Sequence, residues 1–179
     1  LFGGWNGKQL VGDTWEWDGR TWHLASSEGP DARAPFAMAY HDGLGIVVLM
    51  GGQDLERTFA DTWTWDGSTW TQLAIDGPGP RGFHTMTYDA DRERVLLYGG
   101  REDDRLFRDL WSWDGSRWEM ISNDGPVRRG IYASAYDRFR GTLIIHGSGD
   151  LVDESWALEP STWTWAESSG WRESDGARR

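Results

Sequence analysis

The 179-residue chain has no cysteine, so it carries neither a disulfide framework nor a thiolate metal site, which suits the cytoplasm and export alike. No run approaches the roughly 18 apolar residues of a membrane-spanning helix, and no positively charged leader with an apolar stretch opens the sequence. Basic residues number 18 against 29 acidic ones, leaving a net charge of -11. Nucleic-acid affinity rests on clustered Lys and Arg, so the balance argues against such a partner. Also missing are a helical hydrophobic period, a Gly-x-Ser-x-Gly elbow, a Walker loop and His-Glu-x-x-His. The four histidines, His23, His41, His84 and His146, fall at different phases and make no metal-ligand spacing. No cofactor or metal is expected, and a binding role is favoured over an enzymatic one.

Against these absences stand 14 tryptophans and a repeat. Asp-Thr-Trp-x-Trp-Asp-Gly occupies Asp13 to Gly19 and Asp61 to Gly67, recurs as Asp109 to Gly115, and survives degraded at Glu154 to Glu159. The step is 48 residues (61 minus 13, 109 minus 61), and Gly3-Gly4, Gly51-Gly52 and Gly99-Gly100 keep it. A fixed step of that length marks a propeller or solenoid, whose units bury a core only against their neighbours.

One copy reads as four strands. Phe83 to Tyr88, like Pro35 to Tyr40, alternates large and small residues, which fits a first strand crowded near an axis. Val95 to Tyr98 is a short apolar run, a second strand buried on both faces and closed by Gly99-Gly100. Trp111 and Trp113 share one face of a third strand, Asp114-Gly115 is read as supplying the positive-φ residues of a tight hairpin, and Trp118 and Met120 lie on the fourth. The first Trp of strand three and the Trp of strand four stand seven apart in all four copies, from Trp15 and Trp22 to Trp156 and Trp163.

The Gly-Gly pair, the two spaced tryptophans and the Pro-x-Arg type entry to strand one resemble the kelch repeat, over essentially the whole chain. The Trp-Asp dipeptides do not make a WD repeat, because no Gly-His element precedes them and the step exceeds ~45 residues. The resemblance implies an all-β, kelch-type β-propeller segment of four-stranded antiparallel blades. Residues 1–32 are expected to end one blade, 33–80 and 81–128 to form two more, 129–171 a degenerate fourth, and 172–179 to enter a fifth. Leu1 to Gly4 matches Leu97 to Gly100, so the chain is expected to be a piece of something longer.

Twelve of the tryptophans are repeat-locked and are expected to fill the core between blades. Trp5 and Trp171 break the period and are candidates for ligand contact. Alternating strands send the long loops to one face, including 5–12, 53–60 and 101–108, and loops on a rigid scaffold commonly carry function. Arg33, Arg81 and Arg129 stand at one repeat position before strand one. In kelch proteins, arginines there can line a ligand-binding mouth, where a guanidinium suits a carboxylate. The alternative is that they anchor loop carbonyls or the facing aspartates. Arg57, Arg101, Arg105, Arg108 and Arg128 are read as not repeating in step, as functional or solubilising groups. Some kelch propellers are copper oxidases that use a tyrosine crosslinked to a cysteine, chemistry that a chain without cysteine does not have.

Three roles remain open. The preferred one is a protein-interaction or scaffold module that presents the long-loop face to a protein or peptide. The second is part of a propeller enzyme or carbohydrate-binding domain with its site at the channel mouth. The third is a structural role in which copies self-associate to complete the propeller, since open sheet edges and apolar ends invite pairing.

Overall fold

A computed structural model describes residues 1–125, 132–148, 153–159 and 164–167. The described residues are all-β: antiparallel sheets of two to four strands, none of them closed, and no helix among the described residues. The first sheet has three strands, β1 (Phe2–Trp5), β2 (Leu10–Trp17) and β3 (Trp22–Ser26). The second is a four-stranded meander of β4 (Ala37–His41), β5 (Ile46–Met50), β6 (Thr62–Trp65) and β7 (Trp70–Leu73). The third repeats it with β8 (Thr85–Asp89) and β9 (Arg94–Tyr98), then β12 (Leu110–Trp113) and β13 (Trp118–Ser122). A two-residue ribbon, β10 (Arg101–Glu102) with β11 (Arg105–Leu106), rises between β9 and β12. The fourth sheet has β14 (Tyr132–Asp137), β15 (Thr142–Ser148), β16 (Asp153–Glu159) and β17 (Thr164–Glu167).

The register repeats as strictly as the sequence. Met38 faces Leu49 and Tyr40 faces Val47 in the second sheet; Met86 faces Leu97 and Tyr88 faces Val95 in the third. Strand one starts later than the alternation suggests, because Phe83 takes a positive φ of 59° and leaves the pleat two residues before β8. The hairpin from strand three to strand four also differs from its expected form. Only the glycine turns left-handed (Gly19 97°, Gly67 94°, Gly115 99°), and the aspartate stays outside that region. Its carboxylate instead accepts from the two loop amides beyond the glycine, as Asp66 Oδ1 does from Ser68 and Thr69 at 2.8 Å each. That is an Asx turn, a local solution open to Asp because its short side chain reaches its own backbone.

The sheets pack face to face in sequence order, with the first strand β4 beside β8 and β8 beside β14. The layer between sheets one and two holds Phe2, Leu49, Trp65 and Trp70. Between sheets two and three lie Val48, Met50, Met86, Val95, Leu97, Trp113 and Trp118, and between three and four Leu96, Leu110, Leu143 and Ile145. Each fully buried side chain of this size contributes about 1.5–3 kcal/mol. The repeat-locked indoles also bond across layers: Trp70 Nε1 donates to Thr14 Oγ1 at 2.8 Å and Trp118 Nε1 to Thr62 Oγ1 at 3.0 Å. So the Thr of one motif receives the strand-four Trp of the next. At the opposite end of strand one, Tyr88 Oη accepts from the Gly43 amide at 3.3 Å and Tyr136 Oη donates to Asp91 at 2.5 Å. Each of these tyrosines pins the turn of the preceding repeat.

Candidate functional site

The long-loop face is built on two copies of one latch. Arg33 lies just before β4 with its side chain fully buried. Its Nη1 and Nη2 donate to Asp61 Oδ1 and Oδ2 at 2.5 and 3.0 Å, Nη1 also to the Gly51 carbonyl at 3.0 Å, and Nε to the Asp31 carbonyl at 2.9 Å. Arg81 repeats this with Asp109 at 2.7 and 3.0 Å, Gly99 at 3.0 Å and Gly79 at 3.2 Å. A planar guanidinium fits this task because it satisfies a carboxylate with two parallel bonds and still has donors for carbonyls.

The aspartates have a third partner. Trp63 Nε1 donates to Asp61 Oδ2 and Trp111 Nε1 to Asp109 Oδ2, both at 2.7 Å. Burial alone would push these two carboxyls up, but the hydrogen bonds and charge of the arginines, with the indole bonds, outweigh it and hold both below the usual carboxylate range. Gly51 and Gly52 sit at the centre of the latch with φ of 63° and 98°. A Cβ on Gly51 would lie 2.6 Å from the Arg81 carbonyl and one on Gly52 2.8 Å from the Phe36 Cβ, so no other residue fits the pair. The Gly52 amide donates to the Arg81 carbonyl at 2.8 Å, which joins one latch to the next.

These contacts place Arg33 and Arg81 inside the loop roots, holding carbonyls and the facing aspartates, rather than lining a mouth. No donor-bearing edge of either guanidinium is presented to solvent. Arg129 and Trp171 lie outside the described residues.

A second set of arginines covers the same loops from outside. Arg57 and Arg105 stand 48 residues apart (105 minus 57), and so do Phe59 and Phe107, which corrects the reading of these two arginines as out of step. Each phenylalanine is stacked between a buried and an outer guanidinium: Arg33 at 3.8 Å and Arg57 at 4.6 Å over Phe59, Arg81 at 4.1 Å and Arg105 at 4.9 Å over Phe107. Sequence reasoning missed this sandwich although its signal, Arg-x-Phe at a constant step, was available. Arg101 lies over Phe83 at 4.3 Å. The outward arginines remain solvent-exposed, and Arg57 reaches Asp31 at 2.6 Å.

Between the two loops opens a cleft of about 320 Å³ lined by Gln53, Asp54, Glu56, Arg57, Thr58, Glu102 and Asp103, with Leu55 exposed at its rim. Trp5, at the end of β1, pairs with Leu10 and projects its indole mostly into solvent. Among the described residues no His, Asp or Glu cluster could hold a metal ion. The buried His84 lies beside Arg81, and burial first, then that charge, pushes its imidazole down to about 3. The Met50 backbone beside it falls outside hydrogen-bond geometry, so both ring nitrogens are unpaired. No protein-family model matches this chain, and no curated protein matches it.

Proposed function

We propose that the chain is a kelch-type propeller segment that acts as a protein-interaction module through its long-loop face. The propeller reading is supported by the 48-residue step, the four-stranded antiparallel meanders and the adjacency of their first strands β4, β8 and β14. On that reading the units follow the repeat at 1–32, 33–80, 81–128 and 129–171.

The binding role rests on one observation. The roots of the loops are fixed by the buried Arg33–Asp61 and Arg81–Asp109 latches, while Arg57 faces solvent in a polar cleft and Arg101 and Arg105 are exposed on the neighbouring loop. Rigid roots under exposed guanidinium groups lower the ordering cost of binding a peptide. Carboxylates and arginines side by side suit a partner that itself carries both signs of charge.

Peptides selected on the intact chain from a displayed library should bind at least about tenfold more weakly to a triple variant, R57A/R101A/R105A, whose circular dichroism is unchanged. Equal binding by the variant would remove the loop face as the interaction surface. The exposed Trp5 favours a second reading, recognition of carbohydrate by stacking on its indole. Glycan-array binding that is lost in W5A is the result that reading requires.

A further inference from the structure

Arg57 and Arg105 hold the same place in successive repeats but do not have the same partners. Arg57 lies over Phe59, donates from Nη2 to Asp31 Oδ2 at 2.6 Å, and has Asp54 at 3.7 Å from its Nε. Arg105 lies over Phe107 at 4.9 Å, and among the described residues its guanidinium makes no ion pair or side-chain hydrogen bond. Glu102 stands where Asp54 does one repeat earlier and faces Arg105 across the β10–β11 ribbon, but does not reach it.

The partner that Arg105 lacks is the counterpart of Asp31, which is Gly79 (31 plus 48). The backbone supports the match: the Asp31 carbonyl accepts from Arg33 Nε at 2.9 Å and the Gly79 carbonyl from Arg81 Nε at 3.2 Å. Gly79 lies 26 residues before Arg105 (105 minus 79), the separation of Asp31 and Arg57. A Cβ on Gly79 would meet no atom within 4 Å, and its φ is not left-handed, so neither space nor backbone calls for glycine. The carboxylate seat that Asp31 fills in one repeat is therefore open in the next. In the same ribbon Arg101 is a second exposed guanidinium, 4.3 Å over Phe83, where the preceding repeat has Gln53 and Pro35. Gly79 removes one negative charge and Arg101 adds one positive charge, while Asp103 at the ribbon tip stands where Leu55 does.

We propose that Arg105 is the seat for an aspartate or glutamate side chain of the partner peptide, placed as Asp31 is against Arg57. This rests on the long-loop face being the interaction surface and names what that surface recognises. Contact with Phe107 restricts the guanidinium before the carboxylate arrives, so less rotamer freedom remains to be lost on binding. Asp103 repels a run of acids, so the partner carries a single carboxylate here, flanked by neutral or basic residues.

Two probes test this on the full chain. Sodium acetate is titrated against chloride at equal ionic strength while the arginine Nε–H resonances of the nitrogen-labelled chain are followed by NMR. Arg105 should shift more steeply with acetate than Arg57; D31G should raise the Arg57 slope to match, and G79D, which restores the carboxylate, should lower that of Arg105. Equal slopes in the unaltered chain, or an Arg105 slope unchanged in G79D, would overturn the proposal. The second probe is the library-selected peptides. In at least one, replacing a single Asp or Glu by its amide should weaken binding about tenfold on the chain but less than about twofold on G79D or R105A. Peptides that bind the loop face without this coupling sink the carboxylate seat and leave the interaction surface standing. Failure to select any peptide sensitive to R57A/R101A/R105A removes the surface and the seat together. An acetate response with no peptide coupling assigns Arg105 to a small free carboxylate and overturns the peptide as its ligand.

Discussion

The layer between sheets one and two is open but its indoles are satisfied, whereas the layer between sheets two and three is closed and leaves polar atoms unpaired. In the first, Trp65 Nε1 donates to Glu16 Oε1 at 3.0 Å. In the second, the same position of the preceding motif is Thr64, too short to reach, and Trp113 Nε1 finds no partner. Phe36 packs edge-on against Phe2 at 5.4 Å in the first layer, and its equivalent in the second is His84, with both nitrogens bare. His41 Nε2, on a ring set edge-on to Trp113 at 5.8 Å, is unpaired as well. Neighbouring copies of one design thus differ in how fully their buried polar atoms are paired. Two substitutions carry most of that contrast.

The latches should be indifferent to it. R81A leaves Asp109 partly buried without its cation, and such losses cost about 3–5 kcal/mol. R33A should cost the same, read from the urea midpoint of each variant. A gap above about 1 kcal/mol between the two would show that the open layer relaxes around a broken latch.

His84 should make the closed layer acid-sensitive. Its folded pKa of about 3 lies below the unfolded 6.5, so the unfolded chain takes up the proton first. Stability is therefore complete above about pH 6.5 and falls as the pH drops towards 3. Between pH 7 and pH 5 this amounts to about 2 kcal/mol, which H84F should abolish while gaining about 1 kcal/mol at pH 7. Denaturation of both proteins at the two pH values checks it, and parallel pH slopes would refute it. Asp61 and Asp109 act lower, because their depressed pKa values keep stability until the pH falls below the ordinary 3.8.

Thr64→Glu should give Trp113 the acceptor that Trp65 has, raising stability by about 1 kcal/mol in thermal unfolding. No gain would mean that the bare indole is not what separates the layers. The smallest effect belongs to the surface: D31A, which removes the exposed partner of Arg57, should change stability by less than about 0.5 kcal/mol in the same assay.

The order of the strands was legible because every layer repeats its apolar positions 48 residues apart, and period-two alternation exposes them. Their starts were less so, since Phe83 takes a positive φ that its residue type does not favour. Arg33 and Asp61 lie 28 residues apart, as do Arg81 and Asp109, so an ion pair between them was one of two readings of the arginines. Burial decided between them, and burial depends on neighbouring loops that no single repeat specifies. Trp5 was recognisable as unlocked from the repeat, and it is exposed.

The strict register carries a hazard of mistaken identity. A folding chain that brings β8 to β5 instead of β9 meets Leu49 where Leu97 belongs and Val47 where Val95 belongs, and Arg81 could reach Asp61 in place of Asp109. Such a one-repeat slip is scarcely penalised along the strands. The positions that differ between copies, Phe36 against His84 and Thr64 against Ser112, therefore act as serial numbers, and the unpaired imidazole marks which copy is which.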